Sequence, residues 1–159
     1  VFDAMLAASS EQIIWGGNYF ADWLPAKMGW LYWQKRMGGD FSDGELAWTS
    51  RHAALREFTK CPKGMDKADP GEKPVELMRW CLGFHRNAET FLYPSRAAGT
   101  SGVACVNLGR NFTGIELDPV YFDIACRRSE EAYKQPRLFE EPKPAPAVQE
   151  KISFGEGAA

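Results

Sequence analysis

The sequence predicts one α/β domain with a mostly parallel sheet, because short apolar runs of strand type alternate with amphipathic helical stretches. A chain of 159 residues, 45% of them hydrophobic and 25% charged, suits a single globular domain with its own core. After Pro136 the composition changes to Pro, Glu, Lys and Ala. Residues 1–133 are therefore predicted to form the domain, and residues 134–159 a poorly ordered tail.

The first third of the chain has the pattern of a short helix followed by three strands. Val1–Ser9 places apolar residues at helical spacing, and Glu11–Trp15 contains an apolar run that ends sharply at Gly16. Trp30–Trp33 and Glu45–Thr49 are two more runs of strand type. Since such runs are apolar on both sides, we expect strands that are covered on both faces.

The second half of the chain alternates helix and strand after a polar, weakly patterned stretch from about Ser50 to Asp69. Asp118 is expected to cap the last helix through its side chain. Caps and periodicity predict, in order, a helix from Pro74 to about Phe84, a strand at Phe91–Tyr93, a helix over Gly102–Leu108, a strand over Asn111–Leu117 and a helix from Pro119 to about Tyr133.

The most site-like feature is a small-residue loop between a strand and a helix, with an acid at the end of the next strand. Gly99 lies in that loop, and Glu116 follows it by roughly the 20 residues seen in dinucleotide-binding folds. Small residues let backbone N–H groups approach a ligand, and the acid can accept hydrogen bonds from ribose hydroxyls. A purely structural explanation fits too: Gly99 and Gly102 allow close packing, and Glu116 is a charge beside the Asp118 cap.

Net charge and cysteine content limit the classes of protein to which this chain can belong. A net charge of −2 argues against a strongly basic nucleic-acid coat protein, and no apolar run reaches the roughly 20 residues that span a bilayer. The four cysteines form no C-x-x-C motif, and the two histidines lack metal-ligand spacing, so no zinc site is expected. Cys81, Cys105 and Cys126 lie in helix-like stretches, which predicts buried, reduced thiols in a cytoplasmic protein.

Several segments together resemble one enzyme family. Gly102–Arg128 closely resembles the C-terminal region of DNA adenine-N6 and cytosine-N4 methyltransferases of the permuted (beta) group, and Lys73–Met78 resembles the segment before their cofactor loop. Gln12–Phe20, Trp30–Trp33 and Ser42–Trp48 resemble the middle of phage and prophage members. The resemblance covers residues 1–133. It implies a Rossmann-like methyltransferase fold, S-adenosylmethionine (SAM) as cofactor, double-stranded DNA as substrate, and restriction–modification in a bacterial or phage-infected cell.

The family's catalytic motif is absent from this chain. Methylation of an exocyclic amine requires a flipped base stacked on an aromatic ring, with acceptors for its N–H groups. The family supplies these with an acid, amide or hydroxyl residue followed by Pro-Pro and an aromatic residue. None of the ten prolines is adjacent to another, so no catalytic residue is predicted. In the permuted order the motif would precede Val1, and we expect a fragment or a processed product.

The cofactor segments also depart from the family pattern. Where the family has Asp-Pro-Phe-x-Gly-Ser-Gly-Thr, this chain has Tyr93–Thr100, with Tyr93 in place of an acid, Arg96 adding bulk and Ala97 in place of a glycine. Asp69–Pro74 lacks the family's His, Thr and Gln. The resemblance therefore implies weakened SAM binding by a set of six residues: Lys73, Tyr93, Gly99, Thr100, Ser101 and Glu116.

By resemblance, the missing upstream segment also carries two strands of the family's sheet, one of them central. The strands near Ile13 and Phe91 would then flank a gap with unpaired backbone groups. We expect either that the sheet closes up, or that another segment, a partner chain or a second copy in a dimer fills the gap.

Residues 50–72 correspond to the variable region from which the family takes its DNA specificity. The predicted DNA contacts are Arg51, Arg56, Lys60 and Lys63, and a solvated polar loop fits the same pattern. Two functions remain open: a methyltransferase part that is inactive alone, and a non-catalytic, phage-derived pseudo-methyltransferase that regulates or inhibits by binding protein or DNA. A relic without function is a third interpretation.

Overall fold

The computed structural model describes residues 2–65, 67, 69, 71–94 and 99–135. The predicted tail from Pro136 onward, and residues 95–98 of the predicted loop, lie outside this part of the chain. The helices and strands, in chain order, are α1 (Phe2–Ala7), β1 (Ile13–Trp15), a 3-10 helix (Gly17–Phe20), β2 (Trp30–Gln34), β3 (Gly44–Thr49), β4 (Arg56–Thr59), α2 (Val75–Leu82), β5 (Thr90–Tyr93), α3 (Thr100–Asn107), β6 (Asn111–Gly114) and α4 (Pro119–Lys134).

The strands form two sheets, one of four strands in the order β1-β3-β2-β4 and one formed by β5 and β6. Strand β3 is antiparallel to both β1 and β2, whereas the β2–β4 and β5–β6 pairs are parallel. The prediction of a mostly parallel sheet is therefore wrong for the described strands. Residues 35–43 join β2 directly to β3, and a connection without a crossover helix produces an antiparallel pair.

Helix α2 lies against both sheets and provides most of the packing between them. Its Leu77 and Cys81 belong to a core with Leu31, Trp33 and Ala47 of the four-stranded sheet. Its Met78 and Leu82 instead pack with Ala104 and Cys105 of α3, against β5 and β6. The opposite face of the four-stranded sheet has a separate core of Ile14, Leu24 and Trp48, covered by α1.

A groove of about 380 Å³ separates the two sheets, and its walls include β1 on one side and β5 on the other. The described strands β1 and β5 do not pair with each other, so the expectation that the sheet closes up is wrong. Because one face of α2 (Leu77 and Cys81) packs in one core and the adjacent face (Met78 and Leu82) packs in the other, the helix lies between the two sheets. The alternative, in which another segment fills the gap, stays a prediction.

The cysteine prediction is correct for two of the three helical cysteines. Cys81 and Cys105 are buried, and burial raises the pKa of their thiols to about 12 and about 11, so both stay protonated at neutral pH. Cys126 is exposed on α4, because that helix packs along one side only, and Cys61 is exposed in a loop. Within the described part of the chain, no helix is long and apolar enough to cross a membrane.

Candidate cofactor site

The carboxyl ends of β5 and β6 meet at one edge of the two-stranded sheet. The strands are parallel with Tyr93 opposite Gly114, and the Ile115 N–H donates to the Tyr93 carbonyl at 3.0 Å. Gly99 and Thr100 follow the end of β5, and Glu116 follows the end of β6. This edge is where open α/β sheets bind ligands, and the described residues Gly99, Thr100 and Glu116 follow the two strand ends that meet there.

Gly99 is the N-cap residue of α3 and has a backbone conformation that favours glycine. Its φ is +88°, and a Cβ there would lie 2.9 Å from the Ala125 Cα of α4. Gly99 therefore lies directly against the backbone of α4, which only glycine permits. The first helical hydrogen bond of α3 runs from Val103 N–H to the Gly99 carbonyl at 2.9 Å, and α3 starts two residues earlier than predicted.

Glu116 is held by the turn that follows it and keeps one oxygen for another donor. Its Oε1 accepts hydrogen bonds from the N–H groups of Leu117 and Asp118, at 2.8 and 2.9 Å. Its Oε2 is buried and has no hydrogen-bond partner among the described residues. Asp118 itself caps α4 by accepting from the Val120 N–H at 2.8 Å, as predicted. A buried carboxylate oxygen without a partner fits a ligand that brings hydroxyl donors, as a ribose does.

Tyr93 lies at the other end of this edge and offers no negative charge. Its side chain packs against the apolar cluster of α2 and α3, which includes Met78, Leu82 and Ala104. Burial raises the pKa of the Tyr93 phenol, so the group is neutral at physiological pH. The described residues therefore fit the ribose of SAM at Glu116, and they supply no acid for its ammonium at Tyr93.

Of the two remaining predicted cofactor residues, Lys73 contacts the four-stranded sheet and Ser101 lies next to Thr100 in α3. The Lys73 ammonium pairs with Glu45 of β3 at 3.0 Å and lies 5.3 Å from the centre of the Trp15 ring, so it contacts the four-stranded sheet. Ser101 is half-buried in the first turn of α3. The structure thus brings Gly99, Thr100 and Ser101 together, and it engages Lys73 elsewhere.

Sequence reasoning missed a buried polar cluster beside Thr100. The Thr100 hydroxyl donates to Oε1 of Glu72 at 2.7 Å, and the Arg128 guanidinium donates to the same oxygen at 2.6 Å. Glu72 is only 7% exposed. The only sequence feature that marked Glu72 is that the resembled family has Gln at this position. Nothing in the sequence links Glu72 to Arg128, which is 56 residues away.

Of the four predicted DNA contacts, two have partners within the protein and two are exposed. The Arg51 guanidinium lies 4.9 Å from the centre of the Phe84 ring, and the Lys60 ammonium pairs with Glu76 at 2.6 Å. Arg56 is exposed on β4, the outer strand of its sheet, and Lys63 is exposed in the following loop. Among the described residues, no group of three or more His, Cys, Asp or Glu side chains could hold a metal ion.

The groove between the sheets is bordered by two strand edges. Gly16 N–H donates to the Leu46 carbonyl and Ser50 N–H to the Gln12 carbonyl, at 2.8 and 3.1 Å. In an antiparallel pair, bonded and non-bonded residues alternate. Ile14 therefore bonds to β3, and the peptide groups of Ile13 and Trp15 point away from β3 toward the groove.

The hydrogen bonds between β5 and β6 likewise show which peptide groups of β5 face the groove. Asn111 N–H donates to the Glu89 carbonyl at 2.8 Å, and Ile115 N–H to the Tyr93 carbonyl at 3.0 Å. The peptide groups of Thr90 and Leu92 therefore point away from β6, also toward the groove. Helices α1 and α2 contribute an apolar part of the remaining lining, and a polar part comes from the segment before β1 and from the residues after α2. The apolar residues of the two helices are Ala4, Met5, Met78, Cys81 and Leu82, and the polar residues are Ser9, Ser10, Glu11, Gln12 and His85.

Comparison with known proteins finds similarity to methyltransferases. No protein-family model matches the chain. The chain is 43% identical over 56 residues to the type II methyltransferase M.Cfr9I of Citrobacter freundii, a match that covers 35% of this chain and 19% of that enzyme. The chain thus spans about a fifth of that relative's length.

Two solved structures share the fold over most of their length. The crystal structure of the M1.HpyAVI–SAM complex matches with a TM-score of 0.59 and 26% identity, over 74% of this chain and 73% of that one. The crystal structure of M1.HpyAVI alone matches with a TM-score of 0.51 and 26% identity, over 76% and 72% of the two chains. The chain is therefore homologous to a type II DNA methyltransferase, and its described part has an incomplete Rossmann-like methyltransferase fold.

Proposed function

We propose that this chain is the cofactor-binding part of a SAM-dependent DNA amino-methyltransferase of the permuted, phage or prophage type, and that it does not methylate DNA by itself. The observation that carries the proposal is the partnerless buried oxygen of Glu116 at the same sheet edge as Gly99 and Thr100. The proposed substrate is double-stranded DNA, in the cytoplasm of a bacterial or phage-infected cell.

In this role the residues of the site hold the cofactor, and chemistry on DNA depends on other residues. SAM supplies the methyl group when it is bound. Glu116 accepts hydrogen bonds from the ribose hydroxyls, and the first turn of α3 directs N–H groups from Thr100 and Ser101 toward the cofactor. Without adjacent prolines, the chain lacks the motif that would stack a flipped base and accept its N–H groups.

The cofactor proposal is tested by calorimetric titration with SAM of the wild-type chain and Glu116→Gln. Loss of a charge-assisted hydrogen bond should weaken SAM binding by about 10- to 100-fold. Glu130→Gln, which removes an exposed carboxylate from α4, is the matched control and should bind as the wild type does. Absence of SAM binding by the wild-type chain, or equal binding by Glu116→Gln, contradicts the proposal.

We propose further that the groove receives an extended strand from another polypeptide segment, as a partner chain or as a second copy. The peptide groups of Ile13, Trp15, Thr90 and Leu92 would pair with both edges of that strand. Apolar residues of α1 and α2 line part of the groove, so the face of the strand that packs on these helices should be apolar. The strand must contain no proline, because it needs N–H groups on both edges.

Strand insertion is tested with a separately expressed polypeptide in which a proline-free apolar strand is followed by the Pro-Pro-aromatic motif of the family that the sequence resembles. Binding should slow the hydrogen exchange of the four edge amides and restore DNA methyl transfer to the mixture. A matched polypeptide with proline in the middle of the inserted strand should do neither. Methyl transfer by this chain alone, or edge amides that exchange equally fast in the mixture, contradicts the idea.

DNA binding by residues 50–72 is also part of the proposal, with Arg56 and Lys63 as the exposed contacts. Phosphate contacts make affinity fall steeply with salt. Arg56→Ala should therefore weaken DNA binding and reduce the salt dependence, whereas Lys27→Ala, at an exposed lysine outside this region, should change neither. A salt-independent affinity contradicts a phosphate-contacting surface.

A second candidate is a non-catalytic pseudo-methyltransferase that regulates or inhibits by binding. It is favoured by the neutral, half-buried phenol of Tyr93 at the position where the resembled family has an acid. This function predicts DNA or protein binding without SAM binding, and no rescue of methyl transfer by the missing strands. The titration and the mixing experiment above separate the two candidates.

A further inference from the structure

We infer that Glu72 is a positioning residue that ties the start of α3, and with it the Gly99 loop, to α4; the inference rests on the proposed cofactor site. Glu72 precedes α2, Thr100 is the first residue of α3, and Arg128 lies in α4. One oxygen of Glu72 accepts hydrogen bonds from both Thr100 and Arg128, at 2.7 and 2.6 Å. Three separate segments therefore meet at a single buried atom.

The cluster acts on the loop through Thr100. A buried carboxylate requires a nearby positive charge and hydrogen-bond donors, and Arg128 supplies both. Thr100 directly follows Gly99, whose backbone already lies against Ala125 of α4. The Glu72 bond fixes the rotation of the first residue of α3, and so the direction of the N–H groups that follow the loop.

It follows that SAM affinity depends on the side chain of Arg128, which lies on α4 and outside the cofactor loop. Removing its charge deprives Glu72 Oε1 of the donated guanidinium N–H, and the carboxylate then no longer holds Thr100 in one orientation. A guanidinium-to-ammonium change keeps the charge and one donor, so it should restore most of the effect.

The experiment measures SAM dissociation constants for the wild type, Arg128→Met, Arg128→Lys and Glu72→Gln. Arg128→Met should weaken binding about tenfold or more, and Arg128→Lys should recover most of the loss. The Arg128→Met/Glu72→Gln double variant should bind no worse than the weaker single variant, since both act through one contact. Arg127→Met, at the adjacent exposed arginine of α4, is the control and should leave binding unchanged.

Amide NMR spectra of the SAM-free variants give a second readout that does not require cofactor binding. Arg128→Met should shift the Gly99 and Thr100 amide resonances, and Arg128→Lys should bring them back toward the wild type. If the wild-type chain fails to bind SAM, the proposed function fails and these shifts still decide the role of Glu72. Unshifted Gly99 and Thr100 resonances in folded Arg128→Met, or equal shifts in Arg127→Met, overturn the inference.

Discussion

The four-stranded sheet has packed side chains on both faces, whereas the two-stranded sheet is covered on one face only. Leu31 and Trp33 lie under α2, and Trp48 lies in the core on the other side. On the two-stranded sheet, Phe91 and Phe112 face α3, but Leu92 is 46% exposed, and Ile115, which directly follows β6, is 47% exposed. The candidate cofactor site is built on the less protected sheet.

This difference suggests a division between a stabilising half and a binding half. Elements that bind ligands are commonly drawn from the less stable parts of a fold. Parallel strands are normally buried on both faces, so the exposed face of β5 and β6 is an unusual feature of the isolated chain. Substitutions in the two sheets should therefore differ in their effects.

The largest difference is expected between Leu77→Ala and Leu92→Ala. Leu77 is fully buried where α2 meets the four-stranded sheet, so its truncation should lower the free energy of unfolding by about 2–5 kcal/mol. Leu92→Ala should change it by only about 0.5 kcal/mol. Urea denaturation measures both values, and equal losses at the two positions would show that the two-stranded sheet is as well protected as the other.

The next effect in size is expected for Gly99→Ala. A Cβ at Gly99 meets the Ala125 backbone at 2.9 Å, and the φ of +88° is strained for any other residue. Because alanine is strained in this backbone conformation, we expect the free energy of unfolding to fall by about 1–2 kcal/mol. We also expect SAM binding to be lost. Gly38→Ala is the control, because nothing lies within 4 Å of its Cβ. Undiminished SAM binding by Gly99→Ala would show that Gly99 is not part of the cofactor site.

The sequence predicted the helices and strands whose signals are local. Asp118 caps α4 as predicted, because an N-cap requires only the next few residues. Strand β4 was missed because it is an edge strand of mostly exposed residues, without the apolar run that marked β2 and β3. The pairing of Lys73 with Glu45 was also missed, since it depends on which sheet lies beside the start of α2. Contacts between distant segments have no sequence pattern that predicts them.

The smallest effect is expected from the charges on the four-stranded sheet. Burial acts to raise the pKa of Glu45, but Lys35 and Lys73 outweigh it and hold that pKa below the ordinary value of 4.5. Because the folded-state pKa is depressed, the contribution to stability is present above about pH 4.5 and is lost as the pH falls through the folded-state value. The pKa of Glu76 is also lowered, first by its hydrogen bond with Lys60, and Glu45 is not among the groups that shift it.

Urea denaturation of the wild type and Glu45→Gln between pH 7 and pH 3 tests this prediction. The partly exposed ion pairs should contribute up to about 1 kcal/mol at pH 7, and the difference between the two proteins should shrink toward zero under acid. High salt should reduce the difference at pH 7, because the lysine ammonium groups are partly accessible to solvent. A difference that stays constant with pH would mean that Glu45 acts through packing, and the four-stranded sheet would then owe its stability to its apolar cores alone.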